Sequence, residues 1–157
     1  MTILLMVIGG AAGTLARYGL GVWVRDVFRS GFPWGTMIVN VSGSLLLGFV
    51  MQITERSQGA GNWRALLAIG FCGAYTTFST FSYETARLMQ GQRYLSAAGN
   101  AVGNLLLSLF FVFAGFALAA WVLQTSGSSR VSQPLESSPA SVVSIRAEPP
   151  TQPDSVG

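Results

Sequence analysis

Four long apolar stretches constrain this chain more than any other feature. They run roughly Ile3–Val24, Trp34–Ile53, Arg64–Leu88 and Leu95–Leu123. At about 1.5 Å rise per residue, each is long enough to cross a hydrocarbon core of about 30 Å. Polar clusters separate them: Arg25-Asp26 and Arg29-Ser30-Gly31, then Thr54-Glu55-Arg56-Ser57-Gln58-Gly59, then Gln90-Gly91-Gln92-Arg93. Trp23, Trp34, Trp63 and Trp121 stand at the span ends, where an amphipathic ring anchors at the headgroup level. No basic residue precedes the first span, since the first Arg is Arg17, so it does not read as a signal peptide. The pattern predicts an all-α, multi-pass membrane protein with four transmembrane helices.

Composition agrees. Of 157 residues, 50% are hydrophobic and only 10% charged, against about a quarter charged in an ordinary soluble domain. There is no His, which removes His-based triads and proton shuttles. A single Cys, Cys72, allows no intrachain disulfide and no Cys-built zinc site; it reads as a small buried hydrophobe. The chain divides near residue 124. Residues 125–157 hold no aromatic residue but contain nine Ser and five of the six Pro. Such a segment buries too little apolar area to offset its ordering entropy, which predicts a disordered tail after a membrane domain spanning 1–124. The tail has a net charge of −1 and the membrane part +4. No basic run of the length used for nucleic acid is present, so nucleic acid is excluded as a partner.

Loop charge leaves orientation open. With four spans, Arg56, Arg64 and Arg130 share one side, while Arg25, Arg29, Arg87 and Arg93 share the other. Three against four is no positive-inside bias. Balanced loops permit insertion both ways, and two opposite copies could pair as an antiparallel homodimer; a fixed orientation that the count fails to reveal is the alternative. Gly9/Gly13 and Gly99/Gly103 form GxxxG pairs that let helices approach closely.

Polar residues at membrane depth carry the functional information. Residues 76–82 of the third span, Thr76-Thr77-Phe78-Ser79-Thr80-Phe81-Ser82, hold five hydroxyls and two Phe. Ser and Thr favour local departures from a regular helix. A break there would free carbonyls, tolerated only in protein or along a polar path and able to hold a cation. The alternative is an intact helix whose hydroxyls bond back to its own carbonyls. Phe78 and Phe81 share one face, and ring edges are electropositive, which suits a dehydrated anion; packing alone also explains a Phe pair. In the fourth span Asn100, Asn104 and Ser108 form one polar stripe, and Asn40, Ser42 and Ser44 sit in the second. Their N–H and O–H groups can serve an anion or can glue helices together. Arg17 either snorkels to the surface or faces a vestibule and draws anions in. Glu84 either pairs with an Arg or marks the water interface.

Three of these stretches resemble the Fluc (CrcB) fluoride channel family. Gly9-Gly10-Ala11-Ala12-Gly13-Thr14-Leu15-Ala16-Arg17-Tyr18 is similar to its first-helix motif, and Gly35-Thr36-Met37-Ile38-Val39-Asn40-Val41-Ser42-Gly43-Ser44 to its second. Gly70-Phe71-Cys72-Gly73-Ala74-Tyr75-Thr76-Thr77-Phe78-Ser79-Thr80-Phe81-Ser82 resembles its third-helix signature closely, with Glu84 also matching. The resemblance covers about residues 3–123. It implies antiparallel, dual-topology homodimers with two fluoride pores in the cell inner (plasma) membrane. Phe78 and Phe81 match pore-lining Phe residues, Asn40 the second-helix pore Asn, and Arg17 the vestibule Arg. Thr77, Ser79 and Thr80 belong to the same signature. The resemblance further implies a structural sodium ion at the dimer centre, held by backbone carbonyls at a break in the third helix; Gly73 and Thr76 are the matching positions. The implied role is passive export of fluoride that entered as neutral HF.

Two departures stand out. Tyr75 stands where Gly or another residue is expected before the Thr pair, and Asn100, Asn104 and Ser108 occupy a fourth-helix track where many relatives use Tyr and Ser. Asn104 and Ser108 are accordingly taken as pore donors. A small dual-topology multidrug/proton antiporter is the competing reading. It needs a membrane-embedded carboxylate, for which Glu84 is the one candidate. A non-transporting assembly subunit would explain the Gly content but not the polar clusters. An intramembrane protease would lack a base, so no enzyme activity is expected.

Overall fold

The computed structural model describes residues 1–56 and 59–128, the last three by backbone only. All secondary structure among the described residues is helical: α1 (Thr2–Phe28), α2 (Trp34–Glu55), α3 (Gly61–Trp63), a π-helix π1 (Arg64–Cys72), α4 (Gly73–Tyr75), α5 (Phe78–Gln90) and α6 (Tyr94–Ser128). Four runs are long and apolar enough to cross a membrane: Thr2–Phe28, Trp34–Glu55, Gly61–Gln90 and Tyr94–Thr125. Each extends a few residues beyond the apolar stretch in the sequence, because helix geometry continues into the flanking polar turns. α6 likewise continues past residue 124, through Ser128. The remainder of the Ser/Pro-rich segment, from 129 on, lies outside the described residues.

The ends are closed locally. Arg29 takes a left-handed conformation (φ 41°) after α1, with its N–H donating to Arg25 O. Pro33 precedes α2, where its fixed φ suits a helix entry. Arg93 Nη1 donates to Gly31 O at 2.6 Å, tying the α1–α2 loop to the start of α6.

Two tight pairings build the bundle: α2 against α6, and α1 against π1. Glycine makes both possible. A Cβ on Gly9 or Gly13 would collide with the carbonyl oxygens of Leu66 and Phe71 in π1. One on Gly48 or Gly115 would strike the backbone of the facing helix, at Val112 and Leu45. The Gly9/Gly13 pair thus works as a close-packing face, but Gly99 meets nothing within 4 Å in this chain. Long apolar side chains such as Leu15, Leu95, Phe110 and Trp121 are exposed. That is the exterior a lipid solvent requires, because burial drives no preference between lipid and apolar side chain.

The third segment departs most from regular helix. Nine residues run as π-helix, with the Gly73 N–H reaching Ala68 O five residues back. After Tyr75, Thr76 (φ −79°, ψ 158°) and Thr77 (φ −151°, ψ 115°) are extended, and α5 starts at Phe78.

Candidate functional site: a cavity at the extended threonines

Thr76 N–H still closes a helical bond to Cys72 O, whereas the Thr77 backbone lacks a helical partner and a neighbouring side chain takes it up. Thr77 N–H donates to Asn40 Oδ1 at 2.8 Å, and Asn40 Nδ2 returns a bond to Thr77 O at 3.1 Å. A single side-chain amide therefore satisfies both polar groups of one buried residue's backbone, as burial in an apolar medium demands. The Thr77 side chain caps α5: its Oγ1 accepts from Thr80 N–H at 3.2 Å and donates to Thr80 Oγ1 at 3.0 Å. Ser79 Oγ lies 3.3 Å from the same hydroxyl. Thr76 and Ser82 bond back to the carbonyls of Cys72 and Phe78, which is the local alternative foreseen for such hydroxyls. Gly43 gives α2 room to approach here, since a Cβ on it would collide with Thr76 Cγ2 and crowd the Tyr75 ring. The Tyr75 and Ser42 hydroxyls lie 2.9 Å apart.

Beside this region is a cavity of about 390 Å³, lined by Asn40, Ser44, Thr76, Thr77, Phe78, Phe81, Asn104 and Ser108 together with Leu and Val side chains. The Phe78 and Phe81 rings meet at 5.5 Å between centroids, tilted by 51°. Phe78 is 80% exposed within the single chain. Asn40 Nδ2 also donates to Asn104 Oδ1 at 2.9 Å, joining α2 to α6 at the cavity wall. The cavity thus presents ring atoms, amides and hydroxyls, with no formal charge among its lining residues.

A second cavity of about 840 Å³ lies toward the end of the bundle carrying the α1–α2 loop. Arg17, Arg25, Arg29, Arg87 and Arg93 line it, with Glu84, Thr36, Thr80 and Thr77. Five cations against one carboxylate give this cavity a net positive lining. Thr36 lies against the Glu84 side chain, while Glu84 Oε2 is buried without a hydrogen-bond partner. Thr77 lines both cavities, so the extended residues stand between them.

The residues singled out in the sequence divide accordingly. Phe78, Phe81, Asn40, Thr77, Asn104 and Ser108 meet around the smaller cavity, and Arg17 and Thr80 line the larger one. Ser79 lines neither and faces the Thr77 hydroxyl. Gly73 is exposed on the single chain, and Thr76 lines the smaller cavity. Among the described residues, no cluster of three or more His, Cys, Asp or Glu could hold a metal through side chains. Three participants, Tyr75, Thr36 and Thr85, are not among the site residues read from the sequence. Nothing in it points to the contacts of Tyr75 and Thr36, whereas Thr85, one turn after Phe81, could have been found from its i, i+4 spacing to the Phe81 carbonyl.

Known proteins are similar to this chain in sequence. The family described as "CrcB-like protein, Camphor Resistance (CrcB)" matches residues 4–116. A protein of Thermus thermophilus named "Fluoride-specific ion channel FluC" is 44% identical over 115 residues, covering 73% of this chain and 91% of the relative. A protein of the same name from Shewanella oneidensis is 45% identical over 113 residues, covering 72% and 91%. One from Shewanella amazonensis is 42% identical over an equal length. The family match reaches into all four membrane-crossing runs and includes Asn40, the two threonines and both cavity phenylalanines, so the chain belongs to the CrcB-like family.

Proposed function

We propose that this chain is a fluoride-selective channel, not an enzyme, and that it lets fluoride leave the cytoplasm passively across the cell inner membrane. Its relatives' name supports the ion. The observation that carries the reading in this chain is the uncharged cavity of Phe78, Phe81, Asn40, Asn104 and Ser108, set against an arginine-lined entrance. Arginines raise the local anion concentration, and ring edges with modest N–H and O–H donors replace lost water without trapping the ion. A formal positive charge at the narrow site would hold fluoride too tightly for rapid release.

The working unit in this proposal is an antiparallel homodimer with both orientations present. The near-even split of loop arginines, three against four, and the high exposure of Phe78 in a single chain support it. A structural sodium ion at the dimer centre fits the chemistry of the third segment. The N–H that would normally close a helical bond to the Gly73 carbonyl is that of Thr77, and it is directed to Asn40 instead. The Thr80 N–H, which would close one to the Thr76 carbonyl, goes to Thr77 Oγ1, and carbonyls freed in these ways, at Gly73 and Thr76 of each copy, are the hard oxygen donors a sodium ion takes. Isotope exchange on the purified protein should detect a tightly held central cation; an ion-free protein would refute that part.

The test of export is growth. Expression in a bacterium lacking its own fluoride exporter should restore growth in fluoride medium and lower intracellular fluoride. Unchanged sensitivity, with the protein present in the membrane, would contradict the function.

A further inference from the structure

Asn100 does not line either cavity, yet it is fully buried (0% exposed), a costly place for an amide unless its polar atoms find partners. Its bonds form a relay. Thr85 Oγ1 donates to Phe81 O at 2.8 Å. Asn100 Nδ2 donates to Thr85 Oγ1 at 2.8 Å. Asn104 Nδ2 donates to Asn100 Oδ1 at 3.2 Å. Asn40 Nδ2 donates to Asn104 Oδ1 at 2.9 Å.

The polarity of this relay is set from both ends. The Phe81 carbonyl can only accept, so the one Thr85 O–H is committed to it. The Thr85 oxygen must then accept from Asn100, which turns the Asn100 carbonyl toward Asn104 and draws the Asn104 NH2 group to it. At the other end the Thr77 N–H can only donate, so Asn40 must present Oδ1 to it and offer Nδ2 onward. The two constraints agree at Asn104. Its carbonyl faces Asn40, one N–H faces Asn100, and one N–H is left for the cavity that it lines.

We propose that Asn100 and Thr85 are positioning residues for anion passage: they lock the Asn104 amide so that it offers a donor, not a carbonyl, to the fluoride path. This rests on the channel reading above. Without the lock the Asn40 bond alone holds the Asn104 amide, and its NH2 group, no longer drawn to Asn100, is free to swing its donors away from the path.

The test uses the full-length protein in lipid. Thr85→Val keeps the side-chain shape but removes the hydroxyl, and fluoride flux per folded channel should fall about tenfold, the equivalent of one well-made hydrogen bond. Thr85→Ser restores the hydroxyl and should return flux to near the parent value. Asn100→Leu combined with Thr85→Val should be no worse than the more damaging single change, since both cut one relay. The side-chain NH2 resonances of Asn104, identified by their loss in Asn104→Ser, should shift and exchange faster in Thr85→Val but not in Thr85→Ser. Parent-like flux and parent-like Asn104 resonances in Thr85→Val would overturn the proposal. Equal loss of flux in Thr85→Val and Thr85→Ser would also overturn it, because the hydroxyl would then be irrelevant. If the parent protein itself passes no fluoride, the channel reading fails and the role in anion passage fails with it, while the resonances still report separately whether the relay orders Asn104.

Discussion

Asn40→Ala is the most informative single perturbation. The side chain makes three buried bonds: it accepts from Thr77 N–H and donates to Thr77 O and to Asn104 Oδ1. Removing it strands a donor and two acceptors at membrane depth. Side-chain bonds between membrane helices average about 0.6 kcal/mol each, which gives a floor of about 2 kcal/mol for three. Stranded buried groups on the aqueous scale lose about 1–3 kcal/mol each, so the true loss lies above that floor. Ser42→Ala is the control. Its hydroxyl bonds back to Ile38 O and Val39 O on its own helix and meets Tyr75, so no backbone group beyond α2 depends on it. Its removal should change stability by under about 1 kcal/mol. Equilibrium unfolding in mixed micelles measures both, and fluoride flux from proteoliposomes measures function. Asn40→Ala should lose at least about 2 kcal/mol and most of its flux. A variant within about 0.5 kcal/mol of the parent, and still conducting, would refute the claim that Asn40 holds the extended residues in place.

Other perturbations test separate parts. Phe81→Ile should suppress fluoride flux while size-exclusion profiles stay unchanged; normal flux would remove the Phe81 ring from the path. Thr77→Val removes the α5 cap and should lower stability by about 1 kcal/mol, read by thermal unfolding in detergent. Gly13→Ala places a methyl against the Phe71 carbonyl and should destabilise by about 1–3 kcal/mol. Gly99→Ala, in the other GxxxG pair, meets no neighbour within the chain, so an effect confined to dimer dissociation would place Gly99 at the contact between copies.

What could be read from the sequence depended on the length scale of the signal. Span length and polar punctuation located all four membrane-crossing runs, because only a helix satisfies its own backbone in lipid. The density of hydroxyls marked residues 76–82 as unusual, and the i, i+4 stripe brought out Asn104 and Ser108. Finer detail was not legible, for physical reasons. Over nine residues, i to i+4 and i to i+5 bonding leave nearly the same apolar pattern, so π1 was not legible. The hydroxyl density pointed to a departure from regular helix at 76–82 but not to which residues turn extended, and so not to the hydrogen bonds that join Ser79 and Thr80 to the Thr77 hydroxyl. Asn100 shares a stripe with Asn104 but is rotated into the helix interface, and only the position of Thr85 on the facing helix reveals what it does.

The most direct test of fluoride conduction through the smaller cavity is anion efflux from proteoliposomes, followed with a fluoride electrode for the parent and Phe81→Ile side by side and with chloride as the control. The parent should release fluoride rapidly with negligible chloride efflux, and the variant should release little of either. No fluoride efflux from a folded parent protein, or equal efflux of both ions, would contradict the account.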